Sequence, residues 1–423
     1  MPRPTLLRLL AAAILSIGLV AAAPGTSSPA SAHAPKAKGT TNVLVVQLYW
    51  KGTTPTDTTD YMQQVITGPN AWYRTVSHGK YGITGAVTPP LAVKRLKCSV
   101  KNKWTSKMAH EATKAAAHAG YKPKHYGRLV VVVPCSMKKY DGWGQEPGHT
   151  VWLFNVPPAQ PVVPPTKPAG TKETTSVTNV GPATFYKWTF TWPDGSYEWH
   201  TAGTLNVNPI GRPVHEMGHN LGLDHAHLLK CTKNGVAVSF GGHCKTIEYG
   251  DPYDTMSSTV VAGSFSAYRL LKLHWLDGTA KKVKKHKGTF TLSPLEGAGG
   301  VKTLEIKGHK RTYWVEFRTN QGVDAPFDPA QLGVLVRYTK PGSRATWLVD
   351  AMPGSSRAWD LDNHVYGLTD ADQSELLPGH TLTTPEGIKI TTVAQAGGSA
   401  TVQVTRPGHH KKHHHHKKHH HKH

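Results

Sequence analysis

The sequence predicts an α/β domain followed by an all-β domain with the architecture of a sandwich. Between residues 42 and 133, short β-branched segments alternate with helical patterns, which favours a layered α/β structure. From about Thr289 onward, short alternating segments are separated by Gly and Pro without a good helix between them. The chain has 423 residues, which is long enough for two domains with separate cores.

The N-terminal segment has the pattern of a secretory signal peptide. Arg3 and Arg8 supply a positive region, residues 9–23 are largely apolar, and Ala30-Ser31-Ala32 matches a cleavage site. The apolar run is short for a membrane span, and no later stretch is apolar enough to cross a bilayer. We therefore expect residues 1–32 to be removed. The mature chain would then be secreted, either extracellular or associated with the cell wall.

A flexible stub at residues 33–41 is predicted to precede the first domain, which covers residues 42–280. Its predicted elements are a strand at 42–49, a helix at 59–77 interrupted at Gly68-Pro69, a strand at 81–87, a helix at 106–119, a strand at 128–133 and a short helix at 265–276. Six prolines in residues 157–168 predict an extended loop. Residues 185–192 and 197–199 flank a Pro-Asp-Gly turn, which predicts a β-hairpin. Its aromatic side chains either pack in the core or form one edge of a substrate cleft.

The lysine-rich residues 281–288 are predicted to be a solvated connector, and residues 289–407 the β-rich domain. The predicted strands of this domain are 290–292, 302–306, 313–318, 333–338, 347–349, 388–393 and 401–405. Residues 408–423 contain five lysines, ten histidines and no hydrophobic side chain, which predicts a disordered tail. The tail either binds transition metals or acts as a pH-dependent cationic tether. A purification tag is the third alternative, although the interspersed lysines are unlike one.

The chain is strongly basic, with a formal net charge of +23, and +18 remains without the five lysines of the tail. Such a charge favours association with anionic cell-wall or matrix material, or else serves solubility outside the cell. No nucleic-acid-binding motif is present. The even cysteine count agrees with export and predicts two disulfides. Three pairings are open, and we favour the local one, which joins Cys98 to Cys135 and Cys231 to Cys244.

The run HEMGHNLGLDH, from His215 to His225, has the spacing of a metal site. His215 and His219 are four residues apart and therefore lie on one face of a helix, with Pro213 in its first turn. Gly222 allows the chain to leave the helix, so that His225 can return as a third ligand. Three neutral imidazoles leave one position of a tetrahedral zinc ion open for water, as in catalytic sites. Glu216 is then expected beside that water as the general base.

This pattern resembles the H-E-x-x-H-x-x-G-x-x-H signature of the metzincin clan of zinc metallopeptidases. Residues 254–257 resemble its Met turn, with Met256 at 31 residues beyond His225. Residues 220–223 and 248–251 most resemble gametolysin-like (autolysin) peptidases, and residues 77–85 resemble the N-terminal parts of related secreted enzymes.

The resemblance implies a zincin fold, in which a twisted sheet lies above the zinc helix and Met256 forms a hydrophobic floor. An edge strand of that sheet would align a peptide substrate antiparallel to itself. Ser258 stands where some metzincins have a tyrosine, so the group that stabilises the oxyanion is not assigned.

The function that these observations predict is that of a secreted metalloendopeptidase with one catalytic Zn²⁺ and protein or peptide substrates. Two functions of other classes compete with it. One is a catalytically silent adhesion protein on a zincin scaffold, and the other is a metal-scavenging protein whose tail is the active part. Glu216 and the complete ligand set favour the enzyme.

Overall fold

The computed structural model describes residues 37–55, 59–135, 137, 142–154, 167–180, 183–194, 197–203, 208–257, 263–325, 327, 332–354 and 374–407. The predicted signal peptide, most of the proline-rich loop, Ser258 and the tail lie outside these residues.

The chain has a mixed α/β structure with few helices and several sheets. The helices of the described residues are α1 (Thr59–Val76), α2 (Asn102–His118), α3 (Asn208–Asn220) and α4 (Ala267–Lys272). The strands up to α3 are β1 (Gly39–Trp50), β2 (Tyr81–Val87), β3 (Leu91–Val93), β4 (Arg128–Val132), β5 (Gly142–Gly144), β6 (Thr150–Leu153), β7 (Lys172–Val180), β8 (Ala183–Thr191) and β9 (Tyr197–Gly203). The strands after α3 are β10 (Ala226–Lys233), β11 (Val236–Val238), β12 (His243–Ile247), β13 (Ala280–Lys282), β14 (Lys287–Leu292), β15 (Thr303–Lys307), β16 (Thr312–Phe317), β17 (Val334–Thr339), β18 (Thr346–Val349), β19 (Thr381–Thr383), β20 (Lys389–Ala396) and β21 (Ser399–Thr405).

The first sheet has the order β2-β1-β4-β6-β5, and β3 also pairs with β1. Its strands are parallel except β5, which is antiparallel to β6 and forms one edge. Because side chains alternate along a strand, Val43 and Val45 face one side of the sheet and Leu44 and Val46 the other. The first side packs against α1 and α3, and the second against α2. The sheet therefore lies between two helical layers.

Two predicted effects of proline on the helices differ from the structure because tertiary packing overrides them. The helix α1 continues through Pro69, and Gly68 leaves room for Ile210 of α3, which would contact any side chain at position 68. The helix α3 begins at Asn208, so that Pro213 lies inside the helix and not in its first turn. Burial of its apolar face offsets the hydrogen bond that the proline removes.

The β-rich half is built from an eight-stranded and a four-stranded sheet. The larger has the order β11-β10-β18-β17-β16-β15-β13, with β12 also pairing with β10, and the smaller has the order β14-β21-β20-β19. One core cluster contains Val315 and Val336 of the larger sheet together with Ile390 and Val402 of the smaller. The two sheets therefore pack face to face, and each of the seven predicted strands is present.

Sequence reasoning missed how the larger sheet crosses the predicted connector. Strands β10, β11 and β12 precede residue 281 and pair into the same sheet as β15 to β18. Part of the basic run at 281–288 itself belongs to β13 and β14. The division into domains stays a prediction, but hydrogen bonds join the two sides of the proposed boundary.

The predicted hairpin is present as β8 and β9, and an unpredicted strand, β7, extends it into a three-stranded sheet. Phe190 is fully buried, which agrees with the core alternative for this residue. The helix expected at 265–276 is shorter, since α4 spans Ala267–Lys272, and Trp275, just beyond it, is buried.

Candidate metal centre

Three histidines converge at the end of α3. His215 and His219 lie one turn apart on the helix, and Gly222 ends it with a φ of 80°, a left-handed conformation that suits glycine. The chain then turns back so that His225 faces the helix. One possible ligand atom from each histidine lies within 4.8 Å of the other two, and this is a geometry that could hold a metal ion.

Backbone carbonyls set the tautomers of two of these histidines. The Nδ1 atom of His215 lies 2.8 Å from the carbonyl oxygen of Thr255, and that of His219 lies 2.9 Å from the carbonyl oxygen of Leu223. A carbonyl oxygen only accepts, so each Nδ1 carries the hydrogen and each Nε2 keeps a free lone pair. The Nε2 atoms of His219 and His225 lie 3.1 Å apart, as two donors to one ion would. The donor set therefore fits a metal that prefers nitrogen.

Burial keeps these ligands neutral. Desolvation lowers the pKa of His215 to about 4, and it also lowers the pKa of His219 and His225. Neighbouring histidines lower the last two further. Because a metal competes with protons for imidazole nitrogen, the metal-free site is ready for a cation at neutral pH.

Met256 lies directly beneath the helix that carries the ligands. It is fully buried, and a side chain at Gly218 would collide with its sulfur atom. The carboxylate of Asp254 shapes the turn, since its Oδ1 accepts a hydrogen bond of 2.9 Å from the Met256 amide. Gly218 thus lets α3 approach Met256 closely.

Strand β5 crosses the other side of α3. Side chains at Gly142 or Gly144 would collide with Glu216 or its backbone, so both glycines permit a close approach of strand and helix. The side chain of Asn220 donates hydrogen bonds to the carbonyls of Gln145 and Thr150, which hold the end of α3 beneath the β5–β6 turn. Glu216 is 4% exposed and lies between the helix and the edge strand.

Sequence reasoning missed a group of buried ion pairs that holds the turn carrying Met256. Arg269 of α4 donates from Nε to Asp254 at 2.8 Å, and Arg337 of β17 contacts Asp251 at 2.6 Å. Arg337 also pairs with Glu316, which accepts a hydrogen bond from the backbone amide of Ala267. All of these side chains are essentially buried. The turn beneath the metal site is therefore anchored in the β-rich sheet.

The third histidine is tied to the same sheet. Its carbonyl oxygen accepts a 3.4 Å hydrogen bond from the amide of Thr346, and β10 starts at the next residue and pairs with β18. Arg269 donates both to the carbonyl of Asp224 and, at 3.0 Å, to the hydroxyl of Thr346. The position of His225 thus depends on a strand more than a hundred residues further along the chain.

Two neighbours contact the His225 ring directly. The Glu248 carboxylate lies 3.3 Å from Nδ1, and the Tyr249 ring centroid lies 4.2 Å from that of His225. Tyr249 is 7% exposed and has a φ of 58°, which is uncommon for a bulky residue and typical of functional sites. In the sequence, the only indication of a role for Glu248 and Tyr249 was the resemblance of residues 248–251 to gametolysin-like peptidases.

Other polar residues near the motif take different positions. Asp224 and His227 are both half-buried: Asp224 accepts a hydrogen bond from the His225 amide, and His227 packs near Trp347. His243 is exposed in β12, and the side chain of His200 lies outside the described residues. Glu146 follows β5, and its carboxylate lies 3.9 Å from His219 and 2.8 Å from Arg344. Burial raises the pKa of Glu146 to about 7.

Both disulfides are present with the predicted local pairing, Cys98–Cys135 and Cys231–Cys244. The second joins directly opposed residues of β10 and β12.

In the described part of the chain, no helix combines the length and the apolar character needed to cross a membrane. The chain matches no protein-family model, and a search of curated proteins finds no relative.

Proposed function

We propose that this protein is a secreted zinc-dependent endopeptidase of the metzincin clan, with a gametolysin-like catalytic half. The single observation that carries the proposal is the convergence of His215, His219 and His225 beside Glu216, beneath an antiparallel edge strand. The buried Met256 below the helix supports the same assignment, because it occupies the place of the hydrophobic floor implied by the Met turn.

The donor set favours zinc. Three neutral imidazoles form the ligand set of catalytic zinc sites, in which the remaining position is open to water or substrate. Zinc at this site would supply a Lewis acid that polarises the scissile carbonyl and acidifies water. His215, His219 and His225 would hold it.

In this proposal, Glu216 is the general base. His215 would hold the ion, and the next residue, Glu216, would then lie beside the attacking water, where its carboxylate would remove a proton and later deliver it to the departing amine. β5 is the last strand in the order of the first sheet, and we propose that an extended peptide pairs along this edge as an additional antiparallel strand. A peptide bound in this way would present its scissile bond to Glu216.

The test is metal-dependent cleavage of a generic protein by the full chain. We expect activity that a chelator abolishes and Zn²⁺ restores. In Glu216→Ala, zinc binding should persist while turnover falls by roughly 10²–10⁴-fold, the usual contribution of a general base. Glu111→Ala, on the solvent side of α2, is the matched control and should keep full activity. Full activity in Glu216→Ala would refute the mechanism.

The competing functions predict other outcomes of the same assay. A silent adhesion protein would bind zinc and cleave nothing in any form. A metal scavenger would lose its function when residues 408–423 are removed, whereas the proposed peptidase should keep its cleavage activity without them. Export is tested by the N-terminus of the mature chain, expected just after Ala32.

A further inference from the structure

A cluster of positively charged side chains lies on a surface that is not part of the candidate metal centre. Residues 91–127 include only one acidic residue, Glu111, but nine exposed cations. These are Lys94, Arg95, Lys97, Lys101, Lys103, Lys107, Lys114, Lys122 and Lys124. Within the described part of the chain, none of the nine has a carboxylate partner. Their charge therefore faces solvent without compensation.

Five side chains form a continuous row on α2, which we call the basic stripe: Lys103, Lys107, His110, Lys114 and His118. Successive members are three or four residues apart and so lie on one helical face. The buried residues Thr105, Met108, Ala112 and Ala116 occupy the opposite face, against the first sheet. The stripe runs the length of the 17-residue helix, which is roughly 26 Å.

Helix stability does not explain this arrangement. Lys103 and Lys107 are like charges at i and i+4, a spacing that destabilises a helix. The first turn has no acidic residue, and Lys101 stands at the N-cap without a side-chain cap, although cations are unfavourable at a helix N-terminus. An anion bound along the stripe would relieve both effects.

The backbone beneath these cations is held in place. Leu96, Cys98, Val100 and Trp104 pack against the core between the sheet and α2. A disulfide joins Cys98 to Cys135, just after β4. The cations of residues 94–107 therefore project from a fixed surface, which reduces the entropy lost on binding.

The stripe and the metal site lie on opposite sides of the first sheet. The helix α2 covers the face that carries Leu44 and Val46, whereas α3 covers the face that carries Val43 and Val45. A ligand along α2 therefore does not cover the face of the sheet that carries Glu216, so that both surfaces can be occupied at once.

We propose that the basic stripe, together with the cations of residues 94–101, binds a linear phosphodiester polymer. Six of the seven Lys and Arg side chains in this surface are lysines, whose compact ammonium groups suit single contacts to successive phosphates. Among the described residues, the neighbouring aromatic side chains of Trp104, Tyr121 and Tyr126 are half-buried and pack against the core, so none of them projects from the surface as a platform for stacking nucleic-acid bases. The cations of this surface therefore contact the phosphate groups of the polymer backbone and hold the protein on an anionic matrix.

The experiment measures binding of poly(glycerol phosphate) to the full chain at several salt concentrations. The stripe variant, Lys103→Gln/Lys107→Gln/Lys114→Gln, should bind at least 10-fold more weakly. The slope of log affinity against log salt should fall by roughly 2 to 3, because three phosphate contacts are lost. The control variant, Lys281→Gln/Lys284→Gln/Lys285→Gln, removes the same charge from another exposed lysine run and should lose less than about 3-fold.

Two further arms keep the test decisive. The variant Lys103→Arg/Lys107→Arg/Lys114→Arg keeps the charge and should keep the affinity, and urea unfolding of each variant checks that it is folded. Equal losses in the stripe and control variants, or no loss in the stripe variant, would overturn the proposal. Single-stranded DNA with the same number of phosphates should bind no more tightly, and clearly tighter binding would overturn the assigned ligand class. None of these measurements depends on peptidase activity.

Discussion

At the scale of single residues, the metal centre combines a local pattern with distant acceptors. The spacing of His215 and His219 determines that they share a helical face, but the carbonyls of Thr255 and Leu223 determine which ring nitrogen stays free. Burial then keeps the rings neutral. Affinity for a cation thus arises from groups that surround the histidines as much as from the histidines themselves.

The stability of the metal-free chain should depend on pH through His215. Burial lowers its pKa from 6.5 to about 4, so the unfolded chain binds this proton first as the pH falls. The contribution to stability is complete above pH 6.5 and is lost between pH 6.5 and about 4. We expect the free energy of unfolding to drop by on the order of 3 kcal/mol across this window from His215 alone.

Urea unfolding with a chelator, at a series of pH values, measures this effect. The His215→Gln variant should show a shallower decline, and the control variant His243→Gln, which removes an exposed histidine, should follow the wild type. An unchanged profile in His215→Gln would show that the acid sensitivity comes from other groups.

At the scale of elements, the turn carrying Met256 is positioned by its ion pairs to α4 and β17. Asp254 accepts from the Met256 amide and from Arg269 of α4, and Asp251 pairs with Arg337 of β17. A buried pair of this kind contributes little net stability, but breaking it leaves a buried charge without its partner. The pairs therefore define the position of the turn more than they stabilise the fold.

Removing Arg269 should damage both folding and the metal site. In Arg269→Met we expect the free energy of unfolding to fall by about 3–5 kcal/mol, because Asp254 stays buried without its partner. Zinc affinity should fall as well, since Asp224 and Thr346 lose the contact that fixes the turn to His225. Arg311→Met removes a more exposed ion pair, to Glu386 between β19 and β20, and should leave zinc affinity unchanged.

A milder variant separates positioning from folding. Thr346→Val deletes only the hydroxyl that accepts a hydrogen bond from Arg269. Its free energy of unfolding should lie within about 1–3 kcal/mol of the wild-type value. Calorimetric titration should nevertheless show weaker zinc binding, and Thr346→Ser should restore it. Wild-type zinc affinity in both Arg269→Met and Thr346→Val would rule out a positioning role for Arg269.

At the scale of the whole molecule, the metal-binding half and the β-rich half share a sheet. Strand β10 follows the third histidine directly and pairs with β18, and β18 pairs in turn with β17, which carries Arg337. A break between the halves would therefore cut backbone pairing and buried ion pairs together.

We expect the chain to unfold in one cooperative transition, because neither half can lose its structure without exposing the shared sheet. Zinc should raise the temperature of that single transition, since it binds only the folded chain. Scanning calorimetry with zinc and with chelator provides the measurement. Two separate transitions, of which zinc shifts only one, would show that the halves are independent units.

Much of the local structure could be predicted from the sequence, because it depends on short-range patterns. The β-branched segments became β1, β2 and β4, and the cysteine pairing followed proximity along the chain. The seven strands predicted for the β-rich half are present, whereas β13 and β19 were not predicted. The continuity of α1 through Pro69 and the start of α3 ahead of Pro213 could not be predicted, since burial of the two helices against each other outweighs the effect of either proline.

The sequence by itself determined which residues form the candidate site, because the four-residue spacing of His215 and His219 and the glycine at 222 act within a single helix and its end. Only the tertiary structure decided what holds that site in place. Arg269 and Arg337 lie far along the chain from the residues they anchor, and no periodicity indicates a buried ion pair between distant segments. Local patterns identify the three histidines that could bind a metal ion, whereas long-range packing sets their geometry.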